Sequence, residues 1–185
     1  MKRLMIPVFL LTTSVFVFAE QPVRPPKQVA EELLQVYGKK LDAVTYIPAL
    51  AMHGRWRFGE LTGDNSHRSL VEAAIAPVRP APKSQVEFAG RLVYAPVARS
   101  DQGPQKERAL AAVLEAADQL FMTGEPRRVK SPSQQEMSDA VFMCGPILCE
   151  AGALSGEARY FDAAVQYLSE MRKLRQREDG LYRHG

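Results

Sequence analysis

Leu154 to Met171 reads LSGEARYFDAAVQYLSEM. Tyr160, Phe161, Ala164, Val165, Leu168 and Met171 fall on one side of a helical period, with Glu157, Arg159, Asp162, Gln166 and Glu170 on the other, which predicts a half-buried helix. The four residues at its head supply both a stop and a start. Gly156 suits the left-handed position that closes a preceding helix, and Glu157 brings negative charge to the positive end of the next. Leu61-Thr62-Gly63-Asp64 repeats the same four-residue joint. Each joint predicts a tight αα-hairpin. Two hairpins of one design predict an array, either an open solenoid or a closed α/α toroid.

Working outward, Val29, Leu33, Leu34, Val36, Tyr37 and Leu41 form one face of a helix starting near Gln28. Tyr46 to Leu61 is a second helix, with Pro48 near its start, and Ser66 to Ile75 is a third. Pro77 to Lys83 breaks the pattern. Gln85 to Val97 and Gln105 to Met122 are predicted helical, Thr123 to Pro132 a loop, and Gln134 to Leu154 and Glu157 to Gln176 the last two helices. No strand, hairpin or dinucleotide glycine motif is expected.

The first nineteen residues have the build of a cleavable signal peptide: Lys2 and Arg3, an apolar run from Leu4 to Phe18, then Val17 and Ala19 at the spacing a signal peptidase reads. Residues 20–27, EQPVRPPK, form a Pro-rich linker, leaving 28–185 as the domain. The apolar run is too short for a committed membrane span, so a secreted or periplasmic protein without membrane attachment is expected after cleavage. Taking Lys2 and Arg3 from the 24 basic residues, against 21 acidic ones, leaves a formal charge of +1. Nucleic-acid binding would want a sustained basic stripe; Arg172 to Arg183 reads instead as cations near a helix C-terminus. Cys144 and Cys149, five apart on a helix, are too distant to bridge and are expected as free, buried thiols. No His or further Cys lies near them at ligand spacing, so no metal is expected.

Ser138 to Gly185 carries a run of linked features: Asp139, then Phe142-Met143 and Pro146, the Leu154 to Glu157 joint, Arg159 to Asp162, and Gly180-Leu181-Tyr182-Arg183-His184. In this order and spacing they resemble the central signature of glycoside hydrolase families 88 and 105, the unsaturated glucuronyl and rhamnogalacturonyl hydrolases. The resemblance extends to Gln28 and is strongest over Ser138 to Gly185. It implies an all-α fold of (α/α)6 toroid type, expected here as an incomplete ring with about seven of the twelve helices, as in the N-terminal half of such an enzyme.

The implied reaction is hydration of the C4=C5 double bond that a polysaccharide lyase leaves on a terminal uronic acid, with release of the neighbouring sugar and no cofactor. Asp139 matches the acid/base of the family, and His184 a substrate-contacting histidine. Arg183 could favour the uronate, Met143 of the signature is expected to contact the substrate, and Trp56 offers a face for a pyranose. Helical spacing with Phe58 and Leu61 equally suits Trp56 to a core position, and Asp139 alone would read as a cap. Met137 replaces a Trp that many members carry, and Asp101 is the nearest counterpart of their further inner-helix Asp. An incomplete ring would expose apolar faces, so self-association is one expectation. A non-catalytic helical-repeat module that binds a sugar or a protein is the alternative to an enzyme.

Overall fold

The computed structural model describes residues 23–37, 41–100, 105–122, 125–129 and 137–184. The expected signal peptide, Asp101 and the Ser133 to Glu136 stretch before the acid lie outside them. The described helices are α1 (Pro26–Tyr37), α2 (Tyr46–Thr62), α3 (Asn65–Ile75), α4 (Gln85–Gly90), α5 (Tyr94–Arg99), α6 (Lys106–Gln119), α7 (Ala140–Ser155) and α8 (Ala158–Arg175). A 3-10 turn, Arg91–Val93, joins α4 to α5, so these run on as one broken rod and the described residues form seven rods.

The described residues build helical hairpins of the kind a hairpin toroid is made from, with one short antiparallel ribbon. Within the array α2 pairs with α3, α5 with α6, and α7 with α8, while α4 packs between α2 and α7. The 85–99 rod is therefore flanked on both sides. Its β-branched and aromatic content follows from that: Phe88, Val93, Tyr94 and Val97 are all buried, and a helix surrounded by others needs no polar face. Ser84 and Glu87 open the rod with a capping box, Glu87 Oε2 accepting from Ser84 N at 3.0 Å. Gly90 permits the approach to α2, since a Cβ there would lie 2.2 Å from the Val44 carbonyl oxygen.

The two joints share their backbone and hydroxyl bonds. Gly63 (φ 75°) donates to Gly59 O and Gly156 (φ 76°) to Gly152 O, each at 2.9 Å. Thr62 Oγ1 donates to Phe58 O at 2.8 Å and Ser155 Oγ to Ala151 O at 2.7 Å. Each hydroxyl then accepts from the acidic residue beyond the glycine, Asp64 N at 3.4 Å and Glu157 N at 3.1 Å. The repeat is thus longer than four residues, GELTGD at 59–64 and GALSGE at 152–157. The leading glycine of each admits the next helix: a Cβ on Gly59 would meet His67 Cβ at 3.1 Å, and one on Gly152 the Phe161 ring at 2.7 Å. Asp64 caps Ser66 N at 2.9 Å, whereas Glu157 pairs with Arg159 Nε at 2.7 Å.

Several expectations are corrected. α1 begins at Pro26, inside the expected linker, because proline suits a first helical position. α6 ends at Gln119, and Phe121–Met122 pairs antiparallel with Glu125–Val129, forming a small ribbon where a loop was expected. The cause is Phe121, whose ring packs 5.8 Å from that of Tyr160 with the Arg159 guanidinium 5.4 Å above it. Arg159 also reaches Asp118 at 2.9 Å, so the end of α6 is drawn onto α8. On α8 itself the buried residues are Tyr160, Ala163, Tyr167 and Met171. Phe161, Val165 and Leu168, expected on the core face, are exposed.

Candidate active site

Asp139 stands at the N-cap of α7 (φ −69°, ψ −17°) with no side-chain cap bond. Its carbonyl receives Met143 N at 3.0 Å, which commits the backbone to the helix while leaving the carboxyl unspent. The residue is half-buried, and Oδ1 is buried with no hydrogen-bond partner among the described residues. A buried oxygen without a donor is costly, and a group kept so is a candidate for work rather than stability.

The turn beyond α8 returns to this point. Gly180 (φ 83°) allows the chain to reverse, Arg177 N donates to Leu181 O at 2.8 Å, and Gln176 bridges Tyr182. Arg183 N then donates to Arg175 O at 2.9 Å, and His184 O accepts from Ser138 N at 2.8 Å. The backbone of His184 is thereby held against Ser138, next in sequence to Asp139, and the side chains of Arg183 and His184 are exposed. Arg172 and Arg175 in the last turn of α8 line a small cleft with Ser138 and Tyr182 and add positive charge there. Such a setting suits an anionic ligand.

Met143 and Trp56 are placed otherwise. Met143 is buried on the core side of α7, and Trp56, 2% exposed, donates from Nε1 to Glu60 Oε1 at 3.0 Å under the guanidinium of Arg68. Neither ring nor thioether is open to a sugar, and both expectations of substrate contact are corrected to core positions. Instead Phe142 is exposed, one turn beyond Asp139, with its ring 5.4 Å from that of Tyr46 at the start of α2. This aromatic pair went unread in the sequence. Its signal was the burial pattern along α7: Ala140, Met143, Cys144, Ile147 and Leu148 face the core, which leaves Phe142, Pro146 and Cys149 on the other side.

That other side opens into a groove of about 700 Å³ lined by Ser138, Phe142, Pro146, Cys149, Val165 and Leu168. Cys149 is exposed there, correcting the expectation of two buried thiols, and both cysteines are free. Pro146 lies inside α7 and, having no N–H, cannot donate to the Phe142 carbonyl. No grouping of three metal-ligating side chains occurs among the described residues.

The family model for Glycosyl Hydrolase Family 88 matches residues 93–185. The chain belongs to glycosyl hydrolase family 88. The match begins within the 3-10 turn and takes in α5 to α8, the ribbon, Asp139 and the closing turn. Family 88 membership makes the chain a glycoside hydrolase with a carbohydrate substrate. No curated protein and no solved structure matches it.

Proposed function

We propose that this family 88 chain is an exported unsaturated-uronyl hydrolase, acting on oligosaccharides that a lyase has cut from pectin or a related polyuronide. The reading rests on one observation above others, the buried Oδ1 of Asp139 at the head of α7, which has no partner among the described residues, with His184 bonded through its carbonyl to the neighbouring Ser138. Asp139 gives its proton to C4 of the unsaturated ring, and positive charge develops at C5. Water adds at C5 and returns a proton to the Asp139 carboxylate. The resulting hemiketal opens, C1 is left as a hemiacetal, and the neighbouring sugar departs with its oxygen protonated. The net change is one water consumed. Arg183 and His184 hold the uronate carboxylate, and the Phe142 ring offers an apolar face to the sugar.

The test is loss of the conjugated enol-carboxylate absorbance of unsaturated disaccharides produced by different lyases. Asp139→Asn is expected to lower turnover by roughly 10²–10⁴-fold while substrate still binds, the range for a lost acid/base. Full rate in that variant would sink the mechanism. A second reading, a sugar- or protein-binding module, draws support from the apolar walls of the α7–α8 groove. Under it no disaccharide is turned over, and Asp139→Asn leaves binding intact.

A further inference from the structure

Away from Asp139, a cavity of about 210 Å³ lies between the end of α3, the 76–84 connection, the 3-10 turn and α6. Three arginines line it, Arg79, Arg91 and Arg108. Arg91 is 5% exposed and donates to Pro80 O and, at 3.3 Å, to Tyr94 Oη. Arg79 donates to Ala74 O at 3.3 Å and Arg108 to Ala76 O at 3.4 Å. These last are long bonds, and both end on the final carbonyls of α3.

A helix C-terminus offers about half a negative charge, which two arginines already share. Among the described residues none of the three makes an ion pair. Glu87 stands one turn before Arg91, but its Oε2 accepts from Lys83 N at 2.7 Å, Ser84 N at 3.0 Å and Ser84 Oγ at 3.1 Å. Glu115 lines the cavity from the exposed side of α6. The Nε of Arg79 is buried with no partner among the described residues. Arg91 is buried, Arg79 half-buried and Arg108 exposed; among the described residues the charge of Arg91 is met through space by Glu87 alone, and an anion in the cavity would supply the partner that the buried Nε of Arg79 lacks. Ile75, Pro77, Ala109 and Ala112 complete the walls, which suits a ligand with a carbon skeleton better than a bare inorganic ion.

We propose that this cavity is a second, non-catalytic site that binds a small organic carboxylate, its oxygens held by Arg79, Arg91 and Arg108 and its apolar body against the ends of α3 and α6. The test is calorimetric titration of the full chain with benzoate and with benzamide, its neutral counterpart of the same shape. Benzoate is expected to bind at least about tenfold more tightly, the size of one charge-assisted bond. Arg108→Gln, at an exposed position, and Arg79→Gln should each weaken benzoate by about tenfold without lowering the thermal midpoint. Asp139→Asn should leave benzoate affinity unchanged. Equal binding of the two probes, absence of benzoate binding, or indifference to both arginine substitutions would overturn the proposal. So would sensitivity to Asp139→Asn, which would put the benzoate at the other site.

Discussion

Cys144 and Cys149 sit on one helix under unlike conditions. Burial pushes the Cys144 thiol up to about 12, a hydrogen bond with Tyr167 pulling weakly the other way. Cys149 is exposed, and its thiol is raised first by partial burial and then by the negative charge of Glu150. A thiolate is the reactive form, so at neutral pH an aromatic disulfide reagent should titrate a single cysteine, Cys149, slowly, and the second only after unfolding. Two thiols reacting at one rate in the folded protein would show that the core side of α7 is open. Helical spacing made the absence of a bridge legible in the sequence, because five residues cannot bring two Sγ atoms together. It could not assign burial, because that depends on which flank of α7 receives α8. The same limit explains Met143 and Phe142: adjacent in sequence, they lie on the covered and open flanks of the helix. Trp56 suited core and sugar alike by spacing, and the packing of Arg68 and Glu60 around it decided for the core.

At the level of elements, the joints are the most legible part of the fold, since a left-handed glycine and an acidic start are written locally. Replacing Gly63 or Gly156 by Ala forces a Cβ into that left-handed conformation and is expected to destabilise by about 1–2 kcal/mol at each joint. The two losses should add in the double variant, the joints sharing no partner. Urea unfolding checks both statements, and a substitution without cost would mean that the joint tolerates another closure. What escaped the sequence here were partnerships between distant elements. The ribbon after α6 exists because Phe121 meets Tyr160 and Arg159, thirty-odd positions on, and periodicity within one segment carries no trace of that. The 85–99 rod carries β-branched and aromatic residues in an expected helix for a related reason: it is packed between α2 and α7, so much of its length is covered.

Across the whole molecule, apolar surface is left open at both ends of the array. Leu33, Val36, Tyr37, Ile47 and Leu50 are exposed on α1 and α2, and Phe142, Val165 and Leu168 on α7 and α8. Patches of this kind commonly mark contact with another chain. Native mass spectrometry of the protein recovered from outside the producing cell is expected to give chains beginning at Glu20, associated beyond the monomer. A monomer that retains Met1 would count against export and self-association together. The bond from Ser138 to His184 has a further consequence, for genetics. It ties the head of α7 to a turn that depends on Gly180 and on the pairing of Gln176 with Tyr182. A screen for inactive alleles should therefore collect lesions in that turn as well as at Asp139, and the two groups would map to separate stretches of the gene while sharing one phenotype.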